Sequence, residues 1–251
     1  MKFIIHTQYY IPEIGAPQAR LSELAEKMLA GGHEVTVITA LPNYPLGQLY
    51  AGFGGIFKRE VRNGVSIIRT WIYPTKSVEL LPRLFNYFSF VISSLLLGIL
   101  FLPRADYLIT ESPPLFLGIS GFLLSRLKRA KWIFNVSDLW PESAVRLGVI
   151  GEGFPLTISE KLELFCYQKA WLVTGQSAEI LRGVKHKCPK GNTFHLSNGV
   201  DSTLFRPELR SGDLHNELGE GVECVAIYAG LHGIAQGLNQ IIEAARMLND
   251  L

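Results

Sequence analysis

Cysteine is scarce in this chain. There are three in 251 residues, Cys166, Cys188 and Cys224, far apart and with no CxxC pair. That spacing suggests neither a disulfide framework nor a zinc site, and it fits a reducing compartment. The six histidines show no metal-ligand spacing, so each reads as structural and no metal is expected. Charge of one sign is also missing: the formal net charge is +2, with 18% charged residues. A nearly balanced chain lacks the concentrated basic face that nucleic acid would require. The N-terminus, Met1–His6, has too short an apolar run for a secretory leader and no cleavage-like site. Hydrophobic residues make up 48% of the chain, enough for a substantial core and an argument against disorder.

Strand signals alternate with helical ones. Phe3–Thr7 reads as a first buried strand. Leu21, Leu24, Ala25, Met28 and Leu29 recur at helical spacing until Gly31-Gly32, and Val35–Thr39 is the next strand. Strand, helix and strand in so short a stretch make a βαβ unit, and hence a parallel sheet. Further strands are predicted at Val65–Arg69, Tyr107–Thr110, Trp132–Val136, Trp171–Thr174 and Thr193–Leu196, with helices at 114–128, 155–170 and 177–184. The fold class is α/β: a Rossmann-like, doubly wound parallel sheet over residues 1–205. Residues 206–221, rich in Pro, Gly and charge, read as a linker. A strand over Glu223–Tyr228 and a helix from Leu238 then open a second Rossmann-like domain over 222–251, which one βα unit cannot complete.

Phe85–Leu102 is strongly apolar and carries no charge. It is slightly short for a spanning helix. Asn86, Ser89 and Ser93 share one helical face, and Lys76, Arg83 and Arg104 flank the stretch. Three readings remain open: a buried core helix, an interfacial helix resting on a membrane surface, and a transmembrane span.

Three constellations can carry chemistry. Tyr9–Arg20 joins the first strand to the first helix; Gly15 permits close backbone approach and Pro17 suits the first helical turn. It is not a GxGxxG fingerprint; its free amides and the helix dipole favour an anionic or sugar ligand, and the alternative is an ordinary βα loop. Ser137-Asp138-Leu139-Trp140-Pro141-Glu142 follows a strand: Asp138 can accept from sugar hydroxyls and Trp140 can stack on a ring, or the two cap a helix and fill the core. Gly230–Gly237 offers a glycine-rich turn before a helix, a weak phosphate-cradle signal by itself.

Taken in register, these segments resemble the family 4 retaining glycosyltransferases of GT-B fold, in the WbuB-like branch of bacterial surface-polysaccharide synthesis. The likeness is carried by Tyr9–Pro17 with Arg20–Leu24, Gly32–Val37, Pro42–Pro45, Ser112–Leu115, Asp138–Ser143, Asn198–Asp201 with Phe205–Pro207, and Tyr228–Gly237. The resemblance implies an acceptor-side N-terminal domain and a nucleotide-sugar-binding C-terminal domain. The activity would be hexosyl or N-acetylhexosaminyl transfer to a lipid-linked or saccharide acceptor, with retention, no cofactor and no obligatory metal. It implies Asp138 as the catalytic residue, with Gly15, Arg20, Asn43, Tyr44, Ser137 and Trp140 for the acceptor and Gly230, His232, Gly233, Gln236 and Gly237 for the donor. The implied setting is the cytoplasmic face of the membrane, with peripheral attachment. The chain departs from the wider family where Ser137 replaces a histidine, and where Ile234 and Gln236 replace a phosphate-binding arginine and lysine. The family's paired glutamates would fall beyond Leu251, so the chain reads as C-terminally truncated and inactive alone. Two rival readings are a non-catalytic acceptor-binding or membrane-recruiting subunit and a nucleotide-sugar epimerase.

Overall fold

Along β1 (Lys2–His6) the side chains of Ile4 and Ile5 point to opposite faces of a sheet, and both are completely buried. The same alternation separates Val37 from Ile38 in β2 (Glu34–Ala40) and Ile67 from Ile68 in β4 (Val65–Thr70). It separates Leu108 from Ile109 in β5 (Tyr107–Ser112). Apolar side chains on both faces mean that helices must cover both faces, the condition for a doubly wound sheet. The structure, a computed structural model, describes all residues except Val78, Leu147, Val149, Ile150, Glu152, Leu204, 207–225, Leu231, Ile234, Ala235 and 249–251.

Among the described residues the sheet has eight strands. With β3 (Phe57–Arg62), β6 (Lys131–Val136), β7 (Leu172–Gly175) and β8 (Thr193–His195), the order is β3-β4-β2-β1-β5-β6-β7-β8. Every pairing is parallel except β3 with β4, where Arg59 lies opposite Ile68. The sequence reading missed β3. Its Lys58, Arg59, Glu60 and Arg62 give no apolar alternation, because an edge strand is kept charged where a free edge would invite pairing.

Helix α1 (Ala16–Ala30) covers one face, packing Leu21 and Ala25 with Ile5, Val37, Ile67 and Ile109. It stops at Gly31, and Gly32 turns the chain at φ 80 toward β2. The other face takes α3 (Leu117–Leu127) and α5 (Phe154–Lys169), whose Leu124, Cys166 and Tyr167 join Ile4, Ile38, Ile68 and Leu108. A short α4 (Glu142–Arg146) follows β6, and α6 (Ala178–Lys187) links β7 to β8. The order of strands reverses direction at β1, which lies between β2 and β5. Loops leaving β1 and β5 pass to opposite faces and open a crevice at the strands' C-terminal ends.

The apolar stretch forms α2 (Leu80–Phe101), five residues longer at its start than the uncharged run. Its Phe90 and Val91 are buried with Ala40, Leu41, Ile72 and Leu117, while Leu81, Phe85, Ile92, Leu96 and Leu100 are exposed. The helix is therefore neither wholly buried nor wholly free. Its polar residues serve the segment after β4: Asn86 Nδ2 donates to the Tyr73 carbonyl at 2.6 Å, and Ser89 Oγ accepts from the Tyr73 amide at 2.8 Å. Ser93 Oγ donates to the Trp71 carbonyl at 2.5 Å. These hydroxyls and the amide stand in for a missing strand partner. Among the described residues α2 is the one helix long and apolar enough to cross a membrane.

The chain divides into two compact units, Met1–Arg146 with Ile150–Asn198, and Leu147–Val149 with Gly199–Leu251. In the second, α7 (Asn239–Leu248) buries none of its described residues, and Ile241, Ile242, Met247 and Leu248 are exposed. The strand expected over Glu223–Tyr228 falls partly outside the described residues. Ala226, Ile227 and Tyr228 carry no strand pairing.

Candidate active site

The end of β5 places Glu111 at the crevice, and the end of β6 places Asn135 and Ser137 beside it. One helical turn into α1, Arg20 reaches across and sets its guanidinium 2.6 Å from Glu111 Oε1. The same oxygen accepts the Ser137 hydroxyl, and Arg20 Nη2 also lies 3.3 Å from Ser137 Oγ. Glu111 Oε2 accepts from Asn135 Nδ2 at 2.7 Å. Behind it, Thr174 Oγ1 donates to Asn135 Oδ1 at 2.6 Å, extending the network into β7. Gln176 closes the outer side; with its amide turned so that oxygen faces Arg20, it accepts from Arg20 Nε at 3.0 Å and from Nη2 at 3.2 Å.

Glu111 and Asn135 are buried, whereas Arg20, Ser137 and Gln176 are half-buried. The cluster is thus anchored in the sheet and open on one side. A carboxylate locked by an arginine and two neutral donors is satisfied and charge-neutral as a unit. Its open side presents a guanidinium, a hydroxyl and an amide, the groups that recognise sugar hydroxyls.

A second carboxylate, Glu13, organises the rim. Its Oε1 accepts the amides of Asn43 at 2.7 Å and Tyr44 at 2.8 Å, and its Oε2 accepts the Tyr10 amide at 3.3 Å. Burial raises its pKa, opposed by those three amides and by the charge of Arg69. Arg69, fully buried, donates to the Ile11 carbonyl at 2.5 Å and to Glu60 at 2.7 Å. Together they tie the β1–α1 loop to the loop after β2. This brings the Tyr9 and Tyr44 rings to 5.6 Å, edge on.

The sequence-predicted residues are distributed as follows. Arg20 and Ser137 meet in the cluster. Gly15 is the N-terminal cap residue of α1, where an added Cβ would come 2.5 Å from Gln18 Oε1. Asn43 and Tyr44 line the rim through their backbone, and Asn43 Nδ2 donates to the Leu41 carbonyl at 3.0 Å. Trp140 is half-buried and edge-on to Phe116 at 5.5 Å, which in turn lies 4.7 Å from Phe88 of α2. Asp138 stands apart from the Arg20 cluster. It is exposed, accepts the Ser143 hydroxyl at 2.7 Å, and borders a recess shared by α4 and α6 with Arg146, Arg182, His186 and Lys187. In the second unit the Gly233 amide donates to Gln236 Oε1 at 2.9 Å, Gly237 sits at φ 57, and the His232 ring is 5.8 Å from Tyr228.

Glu13, Arg69, Glu111, Asn135 and Gln176 were not singled out by the sequence reading. The signal for Glu111 and Asn135 was present: a polar residue at the C-terminal end of an otherwise apolar strand. Arg69 stands one residue before the end of β4 and gives the same signal.

Residues 15–190 match the family described as "Glycosyl transferase 4-like domain". The chain is 27% identical over 266 aligned residues to the colanic acid biosynthesis glycosyl transferase WcaI of Escherichia coli K12, covering 100% of this chain and 63% of that protein. It therefore spans less than two thirds of that relative's length. Sucrose-phosphate synthase from Thermosynechococcus elongatus has a similar fold, with a TM-score of 0.60 at 16% identity over 87% of this chain and 52% of that one. So does Anabaena HepE in complex with UDP, with a TM-score of 0.50 at 14% identity over 87% and 50% of the two chains.

Proposed function

The chain belongs to the glycosyl transferase 4-like family, and we propose from that membership that it forms the acceptor-side part of an enzyme that moves a sugar from a nucleotide-diphosphate donor to a lipid-linked or saccharide acceptor. The reading includes retention of anomeric configuration, a role in bacterial surface-polysaccharide synthesis and a place at the cytoplasmic membrane face. The relative named for colanic acid biosynthesis supports the polysaccharide role, and the UDP complex of a structure with the same fold supports a nucleotide-bearing donor.

The observation that carries the reading is the half-open Arg20–Glu111–Ser137 cluster at the point where strand order reverses. Ligands of open α/β sheets bind there. In this proposal Arg20 and Ser137 hold acceptor hydroxyls and Glu111 fixes both without itself reacting. The Gly15 loop lets the acceptor approach the backbone, and Asn43, Tyr44 and Trp140 shape the rim. Asp138 contacts the acceptor or the transferred sugar, and Gly230, His232, Gly233, Gln236 and Gly237 approach the donor diphosphate. The physical task is to hold an acceptor hydroxyl in line with the anomeric carbon while charge builds on the leaving diphosphate.

The test is sugar transfer from labelled nucleotide sugars to polyprenyl-diphosphate saccharides by the complete enzyme. Wild type should transfer at least one sugar, and Ser137→Ala should lose most of the turnover. Absence of transfer with every nucleotide sugar, together with epimerisation of one of them, would overturn the proposal.

A further inference from the structure

Helix α2 presents an apolar stripe to solvent along its length: Leu81, Phe85, Ile92, Leu96 and Leu100 are 57–70% exposed. They recur at helical spacing, and a helix of this length runs about 33 Å. Beside it, α3 exposes Ile119, Leu123 and Leu127 at successive turns. Exposed apolar surface on this scale marks an interaction site.

Charge sits at the ends of the stripe. Lys76 and Arg83 stand at its start, with Glu79 among them, and Trp71 and Tyr73 are exposed alongside. At its foot a recess is lined by Lys2, Arg104, Lys128 and Arg129 against one carboxylate, Asp106. Lys2 Nζ is paired to Glu34 at 3.0 Å, and Asp106 accepts the Lys2 amide at 2.8 Å. Arg104, Lys128 and Arg129 have no ion pair among the described residues. Lys128 Nζ donates to the carbonyl of Ile99, so the recess opens directly at the end of α2. Arg59 lies 4.7 Å over the Phe101 ring on the same end.

We propose that the α2–α3 face docks on a membrane containing anionic phospholipid, with the apolar stripe in the interface and the Arg104–Lys128–Arg129 recess seating a lipid phosphate. This deepens the membrane setting of the proposed function and rests on it only for its biological purpose. A second copy of the chain is a poorer occupant, because either parallel or antiparallel pairing of two stripes sets cationic ends against cationic ends. Anionic lipid complements both ends at once, and cations near such a surface each contribute about 1 kcal/mol. The aromatic contacts Trp140–Phe116–Phe88 join the stripe to the candidate site, so a lipid-borne acceptor held in the same interface can reach the crevice without leaving it.

Flotation of the purified chain with vesicles of phosphatidylcholine alone, or of phosphatidylcholine with phosphatidylglycerol, tests this. Binding should be at least about tenfold tighter to the anionic vesicles. It should fall about tenfold in Ile92→Ser with Leu96→Ser, and separately in Arg104→Glu with Arg129→Glu. Both pairs are on the surface, so unchanged melting temperatures are expected and are measured with the binding. Inorganic phosphate should not release the chain. Equal binding by wild type and both variants would overturn the docking surface, as would release by phosphate with no effect of the serine variant. So would conversion of an oligomer to a monomer by the serine variant with vesicle binding unchanged. Vesicle binding does not read sugar transfer, so failure of either proposal leaves the other standing.

Discussion

Arg20 and Glu111 lie 91 positions apart in the chain and meet at 2.6 Å, their side chains 11% and 4% exposed. The pair joins the first crossover helix to the strand on the other side of the switch point. It spans the crevice where a ligand would sit, and Ser137 completes it by donating to the same carboxylate oxygen.

The losses from removing each partner should therefore not add. Arg20→Met leaves a buried carboxylate short of its cation, a loss of roughly 3–5 kcal/mol. The Arg20→Met, Glu111→Leu double variant should be less destabilised than the sum of the two single changes. Urea unfolding of the three variants measures the coupling; additive losses would show that the two side chains do not act as a unit.

Asp138 provides a cleaner separation of stability from activity. Its carboxylate is exposed and accepts a hydroxyl from Ser143. Asp138→Asn should cost no more than about 1 kcal/mol of stability. If Asp138 contacts the sugar as proposed, turnover by the complete enzyme should fall at least tenfold, about 1.4 kcal/mol. A large fall in melting temperature with normal specific activity would remove Asp138 from the site.

His6 sets an acid limit on the fold. It is completely buried, its Nε2 3.1 Å from Ser94 Oγ and its ring 5.9 Å from Phe90, and burial lowers its pKa from 6.5 to about 3. Below pH 6.5 the unfolded chain binds a proton that the folded chain refuses. Stability contributed by the neutral ring is present above that pH and is lost as pH falls toward 3, by about 1.4 kcal/mol per unit. His6→Gln, which does not titrate, should lose less melting temperature than wild type between pH 7 and pH 5. Parallel curves for the two proteins would contradict the assignment.

The approach of α3 to the sheet depends on Gly121. A Cβ there would come 2.1 Å from Thr110 Oγ1, and that hydroxyl already accepts the Trp132 indole N–H at 2.9 Å. Gly121→Ala should destabilise the protein by about 1–3 kcal/mol, against the small gain that alanine gives an exposed helix. Thermal unfolding reads the difference. A more stable Gly121→Ala variant would mean that helix and sheet separate at little cost.

Much of the architecture was legible in the chain. Apolar runs of strand length, separated by helical periods, specified seven parallel strands and their crossover helices to within a few residues. Those signals are local, since each element must bury its own face whatever its neighbours do. β3 escaped because an edge strand needs little apolar surface. The membership of a sugar-transferring family was also legible, carried by segments that mix core residues such as Leu21 and Val37 with polar residues such as Arg20 and, at a strand end, Ser112.

Which groups form the candidate site was a tertiary decision. Arg20 and Ser137 were singled out, but Glu111, Asn135 and Gln176, which hold them, come from three strand ends that become neighbours only when the sheet orders itself as β1-β5-β6-β7. The same holds for α2. Composition shows an apolar helix with a polar stripe, yet only packing shows that Asn86, Ser89 and Ser93 complete the backbone of residues 71–73 and so turn Ile92 and Leu96 toward solvent. Periodicity assigns a face to each element. Which partner meets that face depends on contacts between residues far apart in the chain, which local pattern does not encode.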